Sequence, residues 1–234
     1  MIPIRDTAPC DSKPIMTWSI MAVCIIVFVT MKMLPDQVSF RLLNMYGMVP
    51  IRYSNPQWAL SYGLPQDGYL SFLTSLFLHG NWLHLIMNMW FMWIFGDNVE
   101  DRMGRVPFLI FYLVCGLIAT ALQWFFDPSL AIPVVGASGA IAGVLGAYFV
   151  LYPFERVVLW LPIFFLPVIV HIPAIAFLGL WVIIQLDSAT SSILGGEASD
   201  VAWWAHLGGF IAGVLLYRFF VQKKEDDVPT WSSR

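Results

Sequence analysis

Six apolar stretches, each nearly free of charge and close in length to a bilayer-crossing helix, constrain this chain more than any other feature. They lie near 16–34, 72–96, 106–126, 136–152, 166–186 and 202–221, and are broken from one another by Pro, Gly and charged residues. A hydrocarbon core about 30 Å thick is crossed by roughly 20 apolar residues in helical form. Composition agrees. The chain is 59% hydrophobic and 12% charged, about half the charged fraction of a soluble domain. The pattern predicts an all-α membrane protein. The first stretch lacks an A-x-A cleavage site and is as long as a span, so it is read as a retained helix.

Basic residues orient the bundle. With both termini cytoplasmic, that side holds Arg5, Lys13, Arg102, Arg105, Arg156, Arg218, Lys223, Lys224 and Arg234, against Lys32, Arg41 and Arg52 outside. This satisfies the positive-inside rule. Residues 1–15 form a cytoplasmic N-terminal segment, 16–221 the six-helix domain, and 222–234 a tail too polar to pack, expected to be disordered. Segment 35–70 is too interrupted to span and is placed at the interface. Gly96-Asp97-Asn98-Val99-Glu100 reads as a helix end followed by a polar turn. A net charge of −3 without a long basic run argues against nucleic acid as a partner. Cys10, Cys24 and Cys115 are odd in number and imply no disulfide framework.

Polar side chains at membrane depth are costly and usually mark function. Ser138 lies in Gly136-Ala137-Ser138-Gly139-Ala140, which opens a run without charge until Glu155, and His206 lies in a second apolar stretch. In the proposed topology the second, fourth and sixth spans run in the same direction. From Ser138 to Pro153 is 15 residues, as is the distance from His206 to Val221, each about 22 Å of helix. His84 falls at a similar depth, with Asn88 one turn further inward on the same face. Glycines and alanines at 139, 142, 143, 146 and 147, and at 208, 209, 212 and 213, would let the fourth and sixth helices approach closely. If packing joins Ser138 to His206, a nucleophile meets a base inside the membrane.

Other chemistries fit less well. The serine is not in a Gly-x-Ser-x-Gly elbow, since position 140 is alanine. His79 and His84 lack the His-Glu-x-x-His arrangement of zinc proteases, so no metal and no cofactor is expected. His79 is placed near the outer end of its span as a structural residue, His171 is incidental, and Trp90, Phe91, Trp93 and Phe95 are read as lipid-facing or interfacial. Taken singly, Ser138 is ordinary packing glue in a glycine-rich helix and His206 a hydrogen-bonded structural group. Their joint depth is what favours a site. Asp187, Glu197 and Asp200 are placed in the outer loop, leaving no acid deep enough to orient His206.

The residues together resemble the rhomboid family of intramembrane serine proteases, bacterial type, with six transmembrane helices. The resemblance runs through Met-Ile-Pro-Ile-Arg-Asp at the N-terminus, Tyr46-Gly47-Met48-Val49-Pro50, and His79-Gly80-Asn81-Trp82-Leu83-His84 with Asn88. It continues through Val99-Glu100-Asp101-Arg102-Met103-Gly104, Gly136-Ala137-Ser138-Gly139 and Ala205-His206-Leu207-Gly208-Gly209. It implies Ser138 as nucleophile and His206 as general base. It also implies an oxyanion held by the Ser138 N–H with His84 and Asn88, while Gly136 keeps the helix entry tight. A tyrosine that stacks on the histidine in some family members is replaced here by Ala142, which leaves the orientation of His206 open.

The activity implied is endopeptidase cleavage of single-span membrane proteins within the bilayer, in a bacterial inner membrane. Two other functions compete. An inactive relative would bind membrane proteins without cutting, but such relatives typically lack the serine or the histidine. A proton-coupled transporter using His84 and His206 would be expected to show internal repeats, and none is evident.

Overall fold

The computed structural model describes residues 2–65, 68–163, 166–195 and 201–222. A short strand, β1 (Ile2–Asp6), leads into α1 (Ile15–Lys32). Short helices α2 (Asp36–Tyr46), α3 (Pro50–Ser54) and α4 (Pro56–Ser61) follow, then α5 (Ser71–Thr74) with a 3₁₀ turn over Ser75–Phe77. The long helices α6 (Trp82–Met103) and α7 (Arg105–Phe126) precede the shorter α8 (Ser138–Leu151). Strands β2 (Arg156–Ile163) and β3 (Leu166–Pro173) come next, then α9 (Ala174–Gly195) and α10 (Trp203–Leu216). Ile15–Lys32, Arg105–Phe126 and Ala174–Ser191 are each long and apolar enough to cross a membrane.

Helix α8 is the axis of the bundle. Every residue from Gly139 to Tyr148 is buried, as expected for a helix that is apolar all round. It packs on α6, α7 and α10, and α1 lies against α6 on the outside. Its 14 residues make it about 21 Å long, whereas the 22 residues of α7 reach about 33 Å. Helix α8 is therefore about 12 Å shorter than α7, against which it packs.

The small residues explain the close packing. A Cβ built on Gly209 would overlap the Gly139 carbonyl oxygen, and one on Gly213 the Gly143 carbonyl oxygen. A Cβ on Gly146 would overlap the Phe210 carbonyl. Backbone lies on backbone along this seam, which larger side chains would prevent.

Several boundaries differ from the sequence expectation. The second span does not run unbroken from 72: Leu78–Asn81 separates the 3₁₀ turn from α6, and Asn81 caps α6 by accepting from the His84 N–H at 2.9 Å. At its other end α6 continues through Gly96–Glu100 to Met103, where a polar turn was expected. The polar residues there are used internally. Glu100, 1% exposed, accepts from the Met16 N–H (2.9 Å), the Thr17 N–H (2.7 Å) and the Thr17 hydroxyl (2.8 Å). It thus caps the N-terminus of α1, where the helix dipole favours negative charge. Asn98 donates from Nδ2 to the Ala8 and Pro9 carbonyls.

The chain is also not all-α. Strands β1, β2 and β3 form an antiparallel sheet in that order, with Ile2 opposite Trp160 and Arg156 opposite Pro173. The expected fifth span, 166–186, begins with strand β3, and its helix covers Ala174–Gly195. Val157, Val158, Val168, Ile169 and Val170 are β-branched and favour the pleated form. Hydropathy alone does not separate such a short apolar run from helix.

The N-terminal segment is tied down by this sheet, by a Tyr148 hydroxyl that donates to Asp6 at 2.5 Å, and by Trp90 Nε1, which donates to the Pro3 carbonyl at 2.6 Å. Segment 35–70 folds around Arg52, 1% exposed, which donates to the Pro65 and Met45 carbonyls. Of the tail expected to be disordered, residues 223–234 lie outside the described residues; the Gln222 N–H donates to the Arg102 carbonyl at 2.9 Å.

Candidate active site

The chain entering α8 is held in place before the helix starts. Met48 and Val134 exchange backbone hydrogen bonds of 3.1 and 2.7 Å, and the Gly136 N–H donates to the Ser75 carbonyl at 2.9 Å. Gly136 then turns the backbone with φ of +122°, a conformation that L-residues rarely adopt. Ser138 is the first residue of α8, whose opening turn has no side-chain cap. Free N–H groups at a helix N-terminus favour negative charge nearby.

Helix α10 is positioned by its own borrowed cap. Gln123 of α7, 3% exposed, accepts from the Ala205 N–H at 3.1 Å. The next residue is His206. Its Nε2 lies 2.9 Å from Ser138 Oγ, so the close α8–α10 seam brings the two expected partners into hydrogen-bonding contact. The opposite ring nitrogen, Nδ1, lies 2.7 Å from Oε1 of Gln185 on α9. Indoles flank the ring: Trp181 and Trp203 each have centroids 6.0 Å from it, at 35° and 88°. Ala142 sits below, against Gly209, where a built Cβ would come within 3.3 Å of the Ala142 Cβ. A tyrosine at 142 would force the seam open.

His84 and Asn88 converge on the same place from α6. A Cβ on Gly136 would fall 2.5 Å from His84 Nε2 and 3.4 Å from Asn88 Nδ2. Asn88 is 6% exposed, and its buried Nδ2 donor has no hydrogen-bond partner among the described residues. Ser138, His206, His84 and Asn88 all line one cavity of about 500 Å³, walled otherwise by Gly80, Asn81, Leu83, Met87, Leu130 and Ile132–Val135, with Val201 and Ala202. His79 lies in the linker ahead of α6, not on the helix, and its ring meets His84 edge-on at 5.2 Å. Among the described residues no group of three or more His, Cys, Asp or Glu could hold a metal ion.

A hydroxyl facing one imidazole nitrogen, beside a cavity that also presents spare N–H donors, has the parts for nucleophilic attack and oxyanion stabilisation. One member of the cluster was not foreseen. Gln185 is 5% exposed and is the first polar side chain in α9 after ten apolar positions and Gly179. Its signal was available, since a lone polar residue in an apolar span deserves the same suspicion as Ser138 and His206. It was hidden by the expectation that only an acid could orient the histidine. Asp187, placed in the outer loop from sequence, is on α9 but exposed, two residues from Gln185 and hence on another face. Glu197 and Asp200 lie outside the described residues.

Residues 66–223 match the model of the rhomboid domain, and the chain belongs to the rhomboid family. It is 31% identical over 159 residues to rhomboid protein 1, mitochondrial, of Saccharomyces cerevisiae, covering 66% of this chain and 42% of that protein. It is 35% identical over 168 residues to presenilin-associated rhomboid-like protein A, mitochondrial, of Danio rerio, covering 69% and 41%. With the Homo sapiens presenilin-associated rhomboid-like protein, mitochondrial, identity is 34% over 149 residues, covering 61% and 35%. The matched region is thus less than half the length of each of these relatives.

Proposed function

We propose that this protein is a serine endopeptidase that cleaves membrane-spanning segments of other proteins, with Ser138 as nucleophile and His206 as general base. The observation that carries this reading is the 2.9 Å contact between Ser138 Oγ and His206 Nε2 at the floor of a cavity. His206 would take the serine proton as Oγ attacks the scissile carbonyl, then return it to the leaving amine, and water would release the acyl-enzyme. The Ser138 N–H, His84 Nε2 and Asn88 Nδ2 are the donors for the oxyanion. Each such donor is worth about 2.7–4 kcal/mol in the transition state.

The substrates proposed are single-span membrane proteins reaching the cavity from the lipid bilayer. The topology proposed is six spans with both termini on the cytoplasmic side, residues 16–221 forming the catalytic domain. The mitochondrial names of the relatives described above lend no support to the bacterial inner membrane expected from sequence.

The test is labelling of the purified, detergent-solubilised protein with a serine-reactive fluorophosphonate, alongside cleavage of a model single-span substrate. Wild type should label and cleave, and Ser138→Ala and His206→Ala should do neither. The double variant should be hardly worse than either single one, because the two act as a unit. A wild-type protein that binds a single-span substrate but neither labels nor cuts would leave the inactive, binding reading in its place.

A further inference from the structure

Two neutral hydrogen-bond partners face the His206 ring, and one of them determines where its proton sits. Nε2 faces Ser138 Oγ at 2.9 Å and Nδ1 faces the Gln185 amide oxygen at 2.7 Å. An amide oxygen only accepts hydrogen bonds, so the Nδ1 nitrogen opposite it must carry hydrogen. A neutral imidazole has one N–H, and Nε2 is then left with its lone pair directed at the serine hydroxyl. Free imidazole side chains favour the opposite tautomer, with the proton on Nε2, which would point a proton at Ser138 and disable it as a base.

Gln185 is held on a buried stripe of α9. Gln185 is 5% exposed and lies one turn along α9 from Trp181, whose ring is against His206, with buried Ala189 one turn beyond. Residues at this spacing share a helix face, so an indole and an amide from one stripe of α9 together bracket the imidazole. In soluble proteases a third side chain, acid or amide, selects the tautomer in this way.

We infer that Gln185 is a positioning residue that completes a Ser138–His206–Gln185 triad by holding the proton of His206 on Nδ1. The inference rests on the protease reading for its consequence, but not for its geometry. A neutral acceptor suits the site. It directs the ring without keeping a permanent charge in the apolar span, where an unpaired carboxylate would be costly.

The test uses the full chain with ¹⁵N-labelled histidine, the His206 ring signals being assigned by their loss in His206→Ala. Wild type should show Nδ1 protonated and Nε2 bare. Gln185→Leu, and Gln185→Met as a second apolar variant of similar size, should shift His206 toward the Nε2–H form. Both should lower kcat about tenfold, the worth of one hydrogen bond, with KM and melting temperature unchanged. Gln185→Glu, which keeps an acceptor oxygen at the same reach, should restore the wild-type tautomer. Unchanged His206 signals in both apolar variants would overturn the inference. Failure of wild type to label with fluorophosphonate would instead overturn the protease reading, and the ring signals would still decide the role of Gln185.

Discussion

Gly136 lies so close to His84 that a Cβ on the glycine would stand 2.5 Å from the imidazole Nε2. The same backbone position has φ of +122°, so Gly136→Ala meets both a strained conformation and a collision with a donor of the proposed oxyanion pocket. Strain of this kind costs about 1–3 kcal/mol. Displacing the donor should lower kcat by about 10²-fold or more. Cleavage assays with a thermal melt on the same sample will read both effects. Wild-type turnover in Gly136→Ala would remove His84 from the pocket.

Asn88 is a sharper probe of the same pocket. Its Nδ2 donor has no hydrogen-bond partner among the described residues, so Asn88→Ala breaks no bond from that donor to another described protein group. The expected result is a melting temperature close to wild type together with a 10²–10³-fold fall in kcat. A parallel fall in both would show that Asn88 is structural.

The α8–α10 seam should tolerate nothing larger than glycine at position 209. Small-residue packing by itself would suggest a graded loss, milder for Gly209→Ala than for Gly209→Val. The structure changes that, because the Cβ itself would overlap the Gly139 carbonyl oxygen, which is backbone and has nowhere to go. Both variants should lose about 10²-fold in rate, as a shift near 1 Å at the reacting atoms does. Gly179 of α9 is the control, with nothing within 4 Å of a built Cβ. Gly179→Ala should keep full activity and gain about 0.5–1 kcal/mol in stability.

Asp6 should make stability depend on pH. Burial is the largest influence on its carboxyl and raises it above the ordinary 3.8, the Tyr148 hydrogen bond opposes this, and Glu155 adds to the rise. The folded state therefore holds the proton more tightly than the unfolded state. The destabilisation from the buried charge is present above the folded pKa and is lost as pH falls through it toward 3.8. Asp6→Asn keeps an acceptor for Tyr148 and removes that charge. Wild type should melt below Asp6→Asn at neutral pH, with the gap closing as the solution is acidified. A gap that does not change with pH would refute this.

Much of the candidate site was legible because it depends on local signals. Ser138, His206, His84 and Asn88 are polar residues in apolar stretches, and the glycines at 139, 143, 209 and 213 announce the seam that joins two of them. Gln185 escaped notice because its partner is 21 residues away on another helix and no local pattern links them. The sheet escaped for a related reason. Residues 157–161 and 168–172 are as apolar as a span, and what makes them strands is pairing with each other and with Ile2–Asp6. Glu100 looked like a surface turn residue because its ligands are the backbone N–H groups of Met16 and Thr17, which sequence does not display.

Strand β1 has one further consequence, for the order in which the molecule is made. Ile2 pairs with Trp160 and Asp6 with Val157, so the first strand waits for more than 150 intervening residues before it finds its partner. At roughly 5–20 residues per second, that is an interval of about 8–30 s. During it α1, α6, α7 and α8 emerge while the edge groups of β1 stay exposed. The β1–β2 pairing is therefore the last N-terminal contact that synthesis makes available. A bulky fusion placed ahead of Ile2 would be expected to interfere with maturation of the bundle more than one placed after Gln222.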